Sequence, residues 1–183
     1  MKDKAILIVA GEPNSVFLEI FFKSLKNNIF KKPIILIVSK KLLEQQMKKL
    51  NYNFEINSIN KNKIDTYKFN NKKINIINVN FEFTKTFDKI SNKSNTYITE
   101  CFKIGLKTIK ENKCSGLING PISKKNFLKK SFWGITEYLA NKTNKNNKVS
   151  MLIYNKKLSV SPITTHLPLK KVHKYLSKQK IIN

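Results

Sequence analysis

Continuous apolar runs alternate with helically spaced apolar positions at the start of this chain. Ala5 to Ala10 is unbroken apolar sequence that stops at Gly11, which predicts a strand buried on both faces. The turn Gly11-Glu12-Pro13-Asn14 follows. Phe17, Ile20, Phe21, Ser24 and Leu25 then recur at helical spacing and predict a helix to about Lys26. Pro33 opens a second buried strand, Ile34 to Val38, and Leu43, Gln46, Met47 and Leu50 mark a short second helix. A βαβα opening of this kind predicts a parallel sheet with right-handed crossovers.

The pattern weakens in the middle. Phe54 to Ile59 and Ile74 to Val79 alternate apolar and polar residues, which predicts half-exposed strands. Asn60 to Lys73 reads as a loop or hairpin, and Phe81 to Asn92 as irregular chain. Ile98, Cys101, Phe102, Gly105 and Ile109 line one face of a helix from about Asn95 to Asn112, with Ser94 or Asn95 able to cap it. Ser115 to Ile118 is a short buried strand ending in Asn119-Gly120-Pro121. Phe127 and Leu128 fall in a short helix, and Gly134 to Ala140 begins another. Val149 to Tyr154 and Leu158 to Ile163 predict a hairpin around Asn155-Lys156-Lys157. After His166, Pro168 suits the first turn of a helix carrying Leu169, Val172 and Leu176 on one face.

Composition narrows the function classes. At 183 residues and 40% hydrophobic, the chain can bury one respectable core, or one domain plus part of a second. No apolar run reaches the ~18 residues of a membrane span, and Ala5 to Ala10 is too short for a signal peptide core. A cytoplasmic protein is expected. The net charge of +25 points at first to polyanions. Every basic residue is lysine, however, and the lysines are spread over the whole length. Specific base readout leans on the arginine fork, so no specific nucleic-acid partner is expected. Cys101 and Cys114 lack the spacing of a zinc site, and Cys101 reads as a core residue.

Three stretches carry candidate chemistry. Thr164-Thr165-His166-Leu167-Pro168-Leu169 holds one of two histidines, at a predicted strand-to-helix corner where side chains tend to face a cleft. His166 is a candidate metal ligand, general base or hydrogen-bonded core residue. His173 lies seven residues on, about 10 Å away if both are helical, too far to share an ion comfortably. Asn119-Gly120-Pro121 ends a buried strand, where α/β folds bind ligands, and Lys124 follows within reach of an anion. Thr136, near a helix start, either caps it or holds a phosphate or carboxylate. Neither the GxGxxG nor the GxxxxGK[ST] spacing occurs.

Together the motifs resemble the 4-hydroxythreonine-4-phosphate dehydrogenase family of vitamin B6 biosynthesis. Gly11-Glu12-Pro13 with Glu19-Ile20, Asn119 to Lys124, Gly134-Ile135-Thr136-Glu137-Tyr138-Leu139-Ala140 and Thr164 to Leu169 are similar, in order and spacing, to segments along the first half or slightly more of that family. The resemblance implies an isocitrate/isopropylmalate dehydrogenase-like α/β fold. Its three layers would hold a largely parallel sheet, with residues 1–183 as the N-terminal and central part of one catalytic unit. It implies a homodimer and NAD-dependent oxidation and decarboxylation of 4-phosphooxy-L-threonine to 3-amino-2-oxopropyl phosphate. It also implies a divalent metal (zinc, cobalt or magnesium), with His166 as one ligand, and substrate held by Thr136 with Ile135 and Lys124 nearby.

The chain departs from the family pattern at Ile135, where the family has a substrate-binding histidine. Isoleucine can neither hydrogen-bond a substrate nor move a proton. By the same resemblance the other metal histidines and most NAD contacts fall beyond Asn183, so the chain alone is expected to be inactive. Two alternatives stay open: a relative acting on another phosphorylated hydroxy acid, and a non-catalytic remnant that binds a partner or polyanion.

Overall fold

The computed structural model describes residues 4–67, 69, 72–129, 131–145 and 149–182. The chain divides into two compact units, residues 1–127 and 128–183.

The first unit is built on a five-stranded sheet of order β3-β4-β2-β1-β5, parallel throughout. Its strands are β1 (Ile6–Val9), β2 (Ile34–Val38), β3 (Ile56–Ser58), β4 (Ile74–Asn78) and β5 (Gly116–Asn119). Helices α1 (Phe17–Asn27) and α2 (Lys40–Lys49) cover one face. There Ile8, Leu36 and Ile76 meet Phe22, Leu43 and Met47. Helix α3 (Asn95–Lys110) covers the other face. It rides so close that a Cβ on Gly105 would sit 2.9 Å from Leu117 Cδ1 and 3.1 Å from Val9 Cγ2. Cys101 lies in this dry layer, and burial pushes its thiol up to about 12.

The apolar runs became β1 and β2 as expected, because both strands are flanked on either side and covered on both faces. Three expectations changed in this unit. Helix α1 buries Leu18, Phe21 and Phe22, while Ile20 is 54% exposed, so the inward stripe is turned from the one predicted. Strand β4 is not half-exposed: Ile74 to Ile77 are all buried between β3 and β2. Its polar Asn75 is buried too, its Oδ1 accepting from Asn57 Nδ2 at 2.8 Å. Strands β3 and β4 run parallel, which rules out a hairpin between them; a 3-10 turn, Lys61–Thr66, occupies part of the connection. Lys68, Asn70 and Asn71 of that stretch lie outside the described residues.

The second unit carries α4 (Ile135–Lys142) and two short helices, α5 (Val172–Tyr175) and α6 (Lys178–Ile182). The hairpin predicted over Val149 to Ile163 is reduced to one antiparallel bridge, Ile153 with Val160. Its apolar residues are exposed, Leu152 by 63% and Leu158 by 69%, so no covered face holds a longer ladder together. The helix after Pro168 is likewise only a 3-10 turn, Leu169–Lys171, running into α5, with Leu169 88% exposed.

Where β1 and β5 end, the backbones touch. Gly11 has φ +78°, and a Cβ there would lie 2.3 Å from Pro121 O. A Cβ on Gly120 would lie 2.2 Å from Ala10 O. Gly11→Ala and Gly120→Ala should each cost about 2–4 kcal/mol in urea unfolding. Gly116→Ala, in β5 with nothing within 4 Å of the added atom, should stay within about 0.5 kcal/mol.

Candidate functional site

Strand order places a switch point between β1 and β5: the chain leaves β1 toward β2 on one side, and the crossover from β4 through α3 returns to place β5 on the other. Two loops meet there. Gly120 N donates to Val9 O at 2.7 Å, and Glu12 N donates to Pro121 O at 2.8 Å. Pro13 O accepts from the buried Gln46 Nε2 at 2.8 Å, tying the corner to α2.

Glu12 is buried at this corner, with 3% exposure. Its Oε2 accepts from Ser94 Oγ at 2.9 Å and its Oε1 from Asn14 N at 3.3 Å. Burial raises its pKa, outweighing the two hydrogen bonds that favour the carboxylate. Of the two candidate caps, Ser94 and Asn95, Ser94 stands at the N-cap of α3 but makes no side-chain cap bond; its hydroxyl faces Glu12 and Ser91 O instead. Burial likewise pushes the Tyr97 phenol well up; that hydroxyl accepts from Ser39 N at 3.1 Å.

This corner does not fit a dinucleotide. A phosphate loop offers free amides to an anion. Here the amides of Glu12 and Asn14 are already taken, and a carboxyl occupies the centre. Lys124 lies beyond the β5 loop, exposed, at the start of a five-residue π-turn, Lys124–Leu128. The turn holds Phe127 and Leu128, where a short helix was expected.

The second unit holds Ile135, Thr136 and His166. Gly134 occupies the N-cap position of α4, so Thr136 is inside the first turn and does not cap it. Among the described residues its half-buried hydroxyl has no hydrogen-bond partner. Ile135 is the first residue of α4. His166 does not follow a strand, contrary to expectation; it sits in a bend with φ +59°. Its side chain is 44% exposed, so the ring is not a core residue. It stacks on Trp133, centroids 5.7 Å apart and planes 19° apart. Its Nε2 lies 3.9 Å from Glu137 Oε1. His173 is exposed on α5.

Sequence reasoning overlooked Trp133 and Glu137 as neighbours of the histidine. The available signal was the sole tryptophan of the chain, four residues before Glu137 and directly ahead of the helix-opening glycine.

The description "Pyridoxal phosphate biosynthetic protein PdxA" matches residues 30–183 of the chain. The chain belongs to this family. It is 33% identical to the 4-hydroxythreonine-4-phosphate dehydrogenase of Sulfurihydrogenibium sp. (strain YO3AOP1), over 97% of this chain and 54% of that protein. It thus spans about half the length of that relative. The crystal structure of a 4-hydroxythreonine-4-phosphate dehydrogenase from Burkholderia phymatum superposes with TM-score 0.84, at 20% identity, over 99% of this chain and 56% of that one. A terephthalate 1,2-cis-dihydrodiol dehydrogenase from Burkholderia xenovorans LB400 superposes with TM-score 0.69, at 14% identity, over 98% and 54%. The PdxA-family chain has the three-layer, parallel-sheet fold of the isocitrate/isopropylmalate dehydrogenase type. No helix among the described residues is long and apolar enough to cross a membrane.

Glu12 makes a testable statement about pH. A raised folded pKa means the folded state binds the proton more tightly than the unfolded one. Stability contributed by Glu12 is therefore fully present below its ordinary value of 4.5 and is lost as pH rises through the folded value. Urea midpoints of wild type and Glu12→Gln, compared from about pH 4 upward, should show wild type losing ground to the variant as pH rises.

Proposed function

We propose that the complete protein is a PdxA-type oxidoreductase of pyridoxal phosphate biosynthesis. Its reaction would be NAD-dependent oxidation of 4-phosphooxy-L-threonine, then decarboxylation to 3-amino-2-oxopropyl phosphate. The observation that carries this reading is an exposed imidazole, His166, presented in a left-handed bend beside a carboxylate, within the family's Thr-Thr-His-Leu-Pro-Leu segment. A non-glycine residue in that backbone region costs free energy, and such positions gather at functional sites.

His166 suits one position in a divalent-metal site. Among the described residues no group of three His, Cys, Asp or Glu gathers to hold an ion, so this stretch supplies one donor and not a set. When bound, zinc, cobalt or magnesium would acidify the substrate hydroxyl and stabilise negative charge left by departing carbon dioxide. The Thr136 hydroxyl, in the first turn of α4 and without a hydrogen-bond partner among the described residues, would hold an anionic substrate group. Lys124 would add positive charge for the phosphate. No residue described here is assigned to NAD. A homodimer and a cytoplasmic location complete the reading, the dimer supported by the exposed apolar side chains between Met151 and Val160.

One observation favours a second reading. Ile135 stands where the resemblance calls for a histidine, so a different phosphorylated hydroxy acid is the alternative substrate. A site that loses a hydrogen-bonding partner discriminates differently among substrates.

The test is NAD reduction by the complete gene product, with each metal and each candidate acid. 4-Phosphooxy-L-threonine should be turned over, and His166→Ala should lower kcat/KM by about 100-fold or more. Ile135→His should raise kcat/KM on that substrate by about 10-fold. Faster turnover of another phosphorylated hydroxy acid would replace the substrate assignment. Absence of turnover on all of them, with salt-sensitive binding to polyanions, would sink the enzyme reading.

A further inference from the structure

His166 lacks the usual means of holding a side chain still. It is 44% exposed, its backbone is left-handed at φ +59°, and neither strand nor helix runs through it. An exposed imidazole with two rotatable bonds samples several rotamers, and a ligand must stop that motion when it binds. Among the described residues, two side chains address the ring. Trp133 lies against its face, nearly parallel, and Glu137 lies at the Nε2 edge. The two are four residues apart, one just before and one just inside the first turn of α4. One short segment therefore approaches both the face and the edge of the histidine.

Trp133 is itself 71% exposed, so burial in a core does not explain a tryptophan at this position. Its one described aromatic partner is His166. Stacked π-systems fix relative plane orientation as well as contact area. We propose that Trp133 is a positioning residue: its indole fixes the plane and rotamer of His166 before any ligand arrives, leaving the opposite face of the ring open. This rests on the reading of His166 as the ligand-holding residue.

The experiment uses the metal-free chain and nuclear magnetic resonance. The chain has two histidines, and His173, exposed on α5, is the internal reference. In wild type the ring protons of His166 should be shifted by the indole ring current, and its Hα–Hβ couplings should report one rotamer. In Trp133→Ala the ring shift should vanish and the couplings should average, with the thermal midpoint unchanged. Trp133→Phe should retain the single rotamer, whereas Trp133→Leu, which keeps bulk without a ring, should average like the alanine variant. A single rotamer persisting in Trp133→Ala or Trp133→Leu overturns the proposal, and so does full averaging in Trp133→Phe. Zinc added alone tests the underlying reading separately: His166 resonances that ignore zinc would count against the metal-ligand assignment, whatever the couplings show.

Discussion

The first unit depends on a backbone contact that leaves no room for a side chain. Gly11 and Gly120 approach each other's loops so closely that a single carbon on either would overlap a carbonyl oxygen. This closeness lets Glu12 N reach Pro121 O, which joins the loops after β1 and β5 into one corner. The corner then turns Glu12 inward, and the buried carboxyl needs donors. Ser94, at the start of α3, and the Asn14 amide supply them. A steric fact about two glycines thus propagates to the placement of α3 and to the chemistry of the switch point. The same packing explains why a crevice that binds phosphates in many α/β proteins does not invite one here.

How far the fold was legible follows from what decided each element. Strands β1 and β2 were legible because a strand covered on both faces must be apolar at every position, and few other structures demand that. Strand β4 was misread for the converse reason. Its asparagines imitate the alternation of a half-exposed strand, yet Asn75 is 2% exposed and satisfied within the sheet by Asn57 and the Ile34 carbonyl. A buried polar side chain with partners looks, in sequence, like one facing water. The stretch from Val149 to Ile163 failed in the other direction. The apolar positions there are genuine, but pairing strengthens only when one face is covered, and these side chains are exposed.

The candidate site was legible to the extent that its residues lie in contiguous motifs. His166, Thr136 and Ile135 were named as candidates because motif order and spacing carry them. The Trp133–His166 contact joins residues separated by more than thirty positions, and no periodicity links them. Only the fold of the second unit puts indole against imidazole. Glu12 was visible as part of a turn, but its burial and raised pKa are tertiary facts. They need the approach of Pro121 and Ser94, neither of which its neighbours in sequence announce.

Scaffold and chemistry come apart in this fold. A dihydrodiol dehydrogenase also superposes on the chain, less closely than a 4-hydroxythreonine-4-phosphate dehydrogenase does over a similar span. The sheet and its helices therefore cannot specify the substrate. Under the proposed function, specificity would reside in side chains at the edges of the scaffold, with the start of α4 as one such edge. Within five residues it carries an exposed indole, an isoleucine, a free threonine hydroxyl and a carboxylate. Replacing a histidine by Ile135 removes a hydrogen-bonding group from that edge without removing the threonine beside it. A substrate that gave a hydrogen bond to the missing ring would bind more weakly, while one presenting apolar surface there would lose nothing. On the proposed function, the departure from the family pattern would act on the choice of substrate and leave the histidine and its bend intact.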